Sequence, residues 1–342
     1  MNRYALLMAG GSGTRFWPKS TQKIPKQFLA LTSDKSLLWS ASNRLTGIVS
    51  PPKRWVVCTK EVGALVKKQI KGGPVLCEPE GRNTMAAVCW GAWAIYSKDP
   101  QSSIVVLPAD AHIGDEKIYK EALQTAFELA ETENRIVCLG IKPTFAATGY
   151  GYIENKSENP KFIEKPDQHK ANELVASGDF LWNAGIFVFK TKIFIDEVRN
   201  LAPEFAEKFD QIIKSPAKLN SIYKNLPKTP VDKAVMEKTS LGAVVPCDCG
   251  WNDVGSWQAL HEVVGNNSSE GLIKSKKGFV SIDCKDIMVD VTDNKFVGLV
   301  GVNDLVVVET KNALLICHKD RTQEVKDLVD QIRNRPKLKG IL

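Results

Sequence analysis

The chain has 342 residues, enough for one large domain and a smaller one, and its 25% charged and 43% hydrophobic content is that of an ordinary folded globular protein. A net charge of +7 suits anionic substrates but is too dispersed to argue for nucleic acid, and the densest basic stretch, Arg333 to Lys339, reads as a solvated terminus. No apolar run reaches the length of a membrane span and no signal peptide is seen, so the expectation is a cytoplasmic protein that binds neither membrane nor nucleic acid.

The first element sets the theme. Leu6-Leu7-Met8-Ala9 reads as a buried strand that ends abruptly in Gly10-Gly11-Ser12-Gly13-Thr14-Arg15. Glycines let a bulky ligand approach main-chain N–H groups, and successive N–H groups in such a turn form a concavity for anions. Arg15 adds a planar fork of donors suited to phosphate oxygens, and Pro25-Lys26-Gln27-Phe28 brings a second cation. Two familiar phosphate loops are excluded. No Gly-Lys-Ser/Thr follows, and the third glycine of a dinucleotide fingerprint is replaced by Phe16.

Strand-like and helix-like segments then alternate: Trp55 to Cys58 as a strand, Val62 to Ile70 as a helix, Thr84 to Tyr96 as a buried helix, Ile104 to Leu107 as a strand, Tyr119 to Ala130 as a helix and Arg135 to Gly140 as a strand. Such alternation predicts an α/β fold in which helices flank a mostly parallel sheet, with ligands outside the carboxyl ends of its strands. Functional loops are therefore expected after Met8, Leu76 and Leu107. The second is Glu78-Pro79-Glu80-Gly81-Arg82-Asn83-Thr84, in which Asn83 or Thr84 could cap the helix that follows. The third, Leu107-Pro108-Ala109-Asp110-Ala111-His112, carries an aspartate that could hold a metal ion or simply form a turn.

Further on, Gly149-Tyr150-Gly151-Tyr152-Ile153 offers a glycine-bearing edge. In Phe162-Ile163-Glu164-Lys165-Pro166, strand geometry would send Glu164 and Lys165 to opposite faces. Trp182-Asn183-Ala184-Gly185 reads as a bend before a strand over 186–189, with Asn183 able to donate and accept. The segment from Ala202 to Tyr223 reads as helical and without chemistry, and Asp232 as a helix N-cap. Gly250-Trp251-Asn252-Asp253-Val254-Gly255-Ser256-Trp257 follows. Gly265 to Gly271 has linker composition, and the short β-type runs after it predict an all-β module. Asp320 to Arg333 reads as an amphipathic helix with Val325, Leu328, Val329 and Ile332 on one face, packed on that module or on a partner subunit. The eight cysteines contain no Cys-x-x-Cys pair, so structural zinc is not expected, and reduced thiols are.

These motifs, in this order over residues 3 to about 260, resemble the signature of the sugar-nucleotide pyrophosphorylases. The Gly10-to-Pro18 loop with Phe16-Trp17-Pro18, the Lys26-Gln27 pair, Glu78-Pro79-x-x-Arg82-Asn83-Thr84 and Trp251 to Trp257 most resemble the mannose-1-phosphate guanylyltransferase family. The resemblance implies a Rossmann-like nucleotidyltransferase fold (GT-A-like, a mixed sheet flanked by helices) over 1–264. It also implies a C-terminal β-rich domain over 271–342, a left-handed β-helix fragment with a terminal helix. It implies an enzyme that uses Mg²⁺, GTP and mannose 1-phosphate and releases GDP-mannose and pyrophosphate, and it leaves room for a homodimer. By the same resemblance Gly10, Gly11, Ser12, Gly13, Thr14, Arg15, Lys26, Glu78, Asn83, Thr84 and Asp110 would bind the nucleotide, with Glu78 reading the purine. Gly151, Glu164, Lys165 and Asn183 would bind the sugar phosphate, and Asp110 and Asp253 the metal. Arg15, Lys26, Asp110, Lys165 and Asp253 would carry catalysis. The competing expectations are the same reaction on another hexose 1-phosphate and nucleotide, and a non-catalytic regulatory subunit of the same fold. A nicotinamide-dependent dehydrogenase is disfavoured by the missing glycine.

Overall fold

The computed structural model describes residues 1–155, 157–265, 271–291 and 294–342. The linker expected over Gly265 to Gly271 therefore lies almost wholly outside the described residues. The helices are α1 (Leu37–Asn43), α2 (Gly63–Gln69), α3 (Asn83–Lys98), α4 (Glu116–Glu133), α5 (Gln168–Ser177), α6 (Thr191–Leu201), α7 (Pro203–Lys214), α8 (Leu219–Tyr223), α9 (Trp257–Val264) and α10 (Val325–Arg333).

Two compact units are distinguished: residues 1–10, 41–109 and 113–251 form one, and residues 11–40, 110–112 and 252–342 the other. The first is built on a nine-stranded sheet, with β1 (Arg3–Met8), β2 (Arg54–Thr59), β3 (Val75–Glu78), β4 (Ser103–Pro108), β5 (Ile136–Ile141), β6 (Tyr152–Glu154), β7 (Phe162–Ile163), β8 (Phe180–Lys190) and β9 (Gly242–Pro246). The strand order is β3-β2-β1-β4-β8-β5-β9, and β6 pairs with both β7 and β8. Along that order pairing is parallel except around β8, which runs antiparallel to both β4 and β5 and makes the sheet mixed. The central strands are continuous apolar runs because both faces are covered. The small-residue helix α3 lies close on β1: a β-carbon at Gly91 would stand 2.3 Å from Leu6 Cδ2. Helix α4 starts at its cap Asp115, whose carboxylate accepts from the amides of Lys117 and Ile118, and buries Tyr119, Leu123, Ala126 and Phe127.

The second unit contains β10 (Gly271–Lys274), β11 (Phe279–Ile282), β12 (Ile287–Asp290), β13 (Val297–Val300), β14 (Leu305–Glu309) and β15 (Leu314–His318). Strands β10, β12 and β14 stack in parallel and β15 closes that sheet antiparallel, while β11 and β13 form a parallel pair. Recurring parallel strands at these intervals are a β-helix. The sequence-based division at residues 264 and 271 follows the chain, whereas packing also draws residues 11–40, 110–112 and 252–264 into the second unit. The cause is one shared core, in which Phe16, Trp17 and Leu31 pack with Trp257, Leu272, Met288 and Val329. The terminal helix is shorter than expected, because residues 319–324 form 3-10 turns before α10. Val325, Val329 and Ile332 are buried, but Leu328 is exposed and does not belong to their face.

Candidate active site

The second unit brings the N-terminal loop together with both metal-candidate aspartates. Gly13 has φ +59 and opens a 3-10 turn over Thr14–Phe16. A β-carbon there would lie 2.2 Å from Lys26 Cβ, so glycine is what lets the loop pack on the lysine. Lys26 opens a second 3-10 turn after Pro25 and is almost fully buried. Its ammonium donates to Asp110 Oδ2 at 3.0 Å and to the carbonyl oxygen of Asp253 at 2.6 Å, and lies 5.8 Å from the centre of the Phe16 ring. The Asp110 carboxylate is 36% exposed, so the pair has a buried cationic end and an open anionic one.

The two aspartate loops are fastened to each other through the backbone. The amide of His112 donates to the carbonyl of Asn252 at 2.8 Å, and the amide of Asn252 returns the bond at 3.1 Å. Local side-chain bonds shape the second loop: Asn252 Oδ1 accepts from the amide of Val254 at 2.7 Å, and Asp253 Oδ1 from the amide of Gly255 at 3.0 Å. Arg15 is exposed on the first 3-10 turn, and Ser20 Oγ donates to the carbonyl of Ser12 at 2.9 Å. Among the described residues no three His, Cys, Asp or Glu side chains cluster as a metal cage. Mg²⁺ takes one or two carboxylates and fills its remaining positions with water and phosphate, so it does not need such a cage.

In the first unit, Glu78 ends β3 and is 4% exposed. Its Oε1 accepts from the hydroxyl of Tyr223 at 2.7 Å, and its Oε2 would be 3.6 Å from a β-carbon placed on Gly10. Burial raises the Glu78 pKa, and the tyrosine hydrogen bond opposes that rise. Tyr223, at the end of the segment read as helical and without chemistry, is thus the hydrogen-bond partner of a candidate site residue. No spacing in the sequence signals it, since its partner lies 145 residues away. The capping expectation holds in part. Asn83 is the first residue of α3, has φ +65 and accepts from the first-turn amide of Thr84 at 2.8 Å, while Thr84 Oγ1 accepts from the amide of Val231 at 2.9 Å. Arg82, at the N-cap position, makes no side-chain capping bond.

Gly151, Glu164, Lys165 and Asn183 also converge in this unit. A β-carbon on Gly151 would lie 2.8 Å from Glu164 Oε2 and 3.3 Å from Asn183 Cβ. Strand β7 ends at Ile163, and Lys165 has φ +48, so Glu164 and Lys165 are not strand neighbours facing apart. The backbone turns at Lys165 and the ammonium pairs with the Glu164 carboxylate. Asn183 lies within β8, and the expected bend appears as an irregularity just after it, where Gly185 has φ +68 and the register with β5 shifts between Asn183 and Phe187. Its Oδ1 accepts from the amide of Gly185 at 2.8 Å, and its Nδ2 donates to Asp232 Oδ1 at 2.7 Å.

Asp232 is the functional candidate that sequence reasoning, which reads it as a helix cap, misses. It opens a π-helical turn over Asp232–Met236, a conformation enriched at functional sites. Its pKa is pushed up to about 6, first by burial and then by the charge of Glu164. The folded protein therefore binds this proton more tightly than the unfolded chain. Stability falls as pH rises from about 4 to about 6, and the whole penalty is present above that window. A rise from 3.8 to about 6 corresponds to about 3 kcal/mol. Asp232→Asn is expected to raise the melting temperature at pH 8 and to flatten the dependence between pH 4 and 6, as followed by calorimetry. An unchanged pH dependence would contradict the assignment.

Residues 4–270 match the family described as nucleotidyl transferase, and residues 277–332 match the MannoseP isomerase/GMP-like beta-helix domain. The chain belongs to the nucleotidyl transferase family. The alginate biosynthesis protein AlgA of Pseudomonas aeruginosa is 36% identical over 354 residues, covering 96% of this chain and 71% of the relative. The mannose-1-phosphate guanylyltransferase of Escherichia coli K12 is 35% identical over 364 residues, covering 96% of this chain and 73% of the relative. A solved structure from Thermus thermophilus, described as a mannose-1-phosphate geranyltransferase, is 34% identical with a TM-score of 0.90 over 97% of this chain and all of that one.

Proposed function

We propose that the protein transfers GMP from GTP to α-D-mannose 1-phosphate, giving GDP-mannose and pyrophosphate. The observation that carries the reading is the buried Lys26 ammonium, which holds the Asp110 carboxylate and the Asp253 loop at 3.0 and 2.6 Å beside the Gly13 turn. The similarity to a guanylyltransferase at 35% identity across 96% of the chain supports it.

The attacking oxygen of a sugar phosphate is already anionic, so no strong general base is required. The work is positioning and charge stabilisation along an in-line path to the α-phosphorus. Arg15 and the amides of Gly10, Gly11, Ser12, Gly13 and Thr14 receive the triphosphate, and Lys26 neutralises charge on it and on the departing pyrophosphate. Asp110 and Asp253 would hold Mg²⁺, which when bound would supply positive charge to offset that of the phosphates. Glu78 reads the guanine N1–H and amino group, with Tyr223 fixing its orientation, and Asn83 and Thr84 shape the loop around the base. Gly151, Glu164 and Asn183 bind sugar hydroxyls, Asp232 orients Asn183, and Lys165 holds the sugar phosphate.

We take residues 1–264, as a stretch of sequence, to be the catalytic part and 271–342 the C-terminal part. The setting we propose is the cytoplasm; among the described residues no helix is long and apolar enough to cross a membrane. A homodimer would cover the exposed apolar residues Val280, Ile282 and Val300 of β11 and β13. The test is ³¹P NMR of the products formed from GTP, mannose 1-phosphate and Mg²⁺. Equal amounts of GDP-mannose and pyrophosphate are expected, whereas GDP with inorganic phosphate would mean hydrolysis and would overturn the reading.

A further inference from the structure

The loop that carries Arg15 and Lys26 is fastened at points other than those two cations. Phe16 is fully buried and packs on Trp257 with ring centres 4.8 Å apart. Trp17 donates its indole N–H to the carbonyl of Ile341 at 3.0 Å, and its own carbonyl accepts from the indole of Trp257 at 3.2 Å. Two residues on, Lys19 Nζ lies 2.5 Å from Asp290 Oδ2. Asp290 ends β12, follows Ile287-Met288-Val289, and is 7% exposed. A carboxylate buried at the end of an apolar strand is costly unless a cation meets it. Here the cation comes from 271 residues earlier in the chain. The same contact commits the Lys19 ammonium to protein rather than to phosphate.

We propose that Lys19, Asp290 and Trp17 are positioning residues, through which the C-terminal β-helix holds the 11–28 loop in the shape that receives a nucleoside triphosphate. The identity of what the loop binds rests on the function proposed above; what holds the loop does not. The β-helix is then a working part of the nucleotide site. A loop that is in its binding shape only part of the time binds its ligand more weakly by that fraction. Once ligand is bound, Arg15 and Lys26 stand where they stood before. Losing the anchor should therefore raise KM for the triphosphate and leave kcat nearly unchanged.

The test uses the full chain with Lys19→Met, Asp290→Asn and the double variant, in which neither charge is left unpaired. In Asp290→Asn and in the double variant, KM for GTP is expected to rise about tenfold and kcat to change less than about threefold, with KM for mannose 1-phosphate unmoved. Hydrogen exchange supplies a readout independent of turnover. The amides of Phe16, Trp17 and Ser20 are hydrogen-bonded to Gly13, Thr14 and Phe16, and should exchange faster in both variants. Unchanged exchange and unchanged KM in the double variant would overturn the proposal. So would tighter GTP binding by Asp290→Asn together with weaker binding by Lys19→Met, the pattern of a lysine that touches phosphate directly. If the parent protein does not turn over GTP, the functional reading fails, and the exchange rates still decide whether the β-helix holds the loop.

Discussion

Lys26→Met is expected to lower kcat/KM for GTP by about a thousandfold, a loss on the order of 4 kcal/mol in the transition state. Methionine keeps the apolar stem and fills the same buried space between Gly13 and the Phe16 ring, so the fold should survive. What disappears is the charge that donates to the Asp110 carboxylate and the Asp253 carbonyl. Two effects then act together: negative charge building on the leaving pyrophosphate goes unanswered, and the two aspartate loops lose the group that draws them to one point. Steady-state kinetics with circular dichroism as a check on folding decides it. A folded variant with near-parental turnover would remove Lys26 from the mechanism.

Asp110→Asn should cost about a hundredfold to a thousandfold in kcat, by a different route. Asparagine retains an oxygen that can accept from Lys26, so the local geometry is kept while the negative charge is lost. The signature is therefore in the metal: half-maximal activity should need about tenfold more Mg²⁺ than in the parent. Asp253→Asn should behave alike, and the double variant should be little worse than either single one, because both act on the same ion. Independent, multiplying losses with an unchanged Mg²⁺ requirement would show that the two carboxylates do not share a metal.

How far the sequence alone reaches depends on the range of the interactions. The buried strands β1, β4 and β5 and the helices α3 and α4 are legible because their apolar periodicity is local. Gly13 and Lys26 can be singled out as candidate site residues, but not the 2.2 Å approach that requires the glycine, which depends on where the chain returns. The paired geometry of Glu164 and Lys165 is not legible, because a positive φ at a lysine has no sequence signature. Asp232 looks like an N-cap, since a carboxylate before an apolar run is the common sign of one. Only its hydrogen bond from Asn183 on β8 shows another use. Tyr223 and Asp290 are invisible for the same reason, their partners lying 145 and 271 residues away.

The central claim is that one chain couples GTP to mannose 1-phosphate. The measurement that tests it most directly is initial-rate pyrophosphate release with Mg²⁺ across a grid of nucleoside triphosphates and hexose 1-phosphates. The highest kcat/KM is expected for GTP with mannose 1-phosphate, with no release without the sugar phosphate. Preference for another nucleotide would contradict the role given to Glu78 and Tyr223. Absence of release with every pair, from folded protein supplied with metal, would mean that the protein is not a nucleotidyltransferase of this kind.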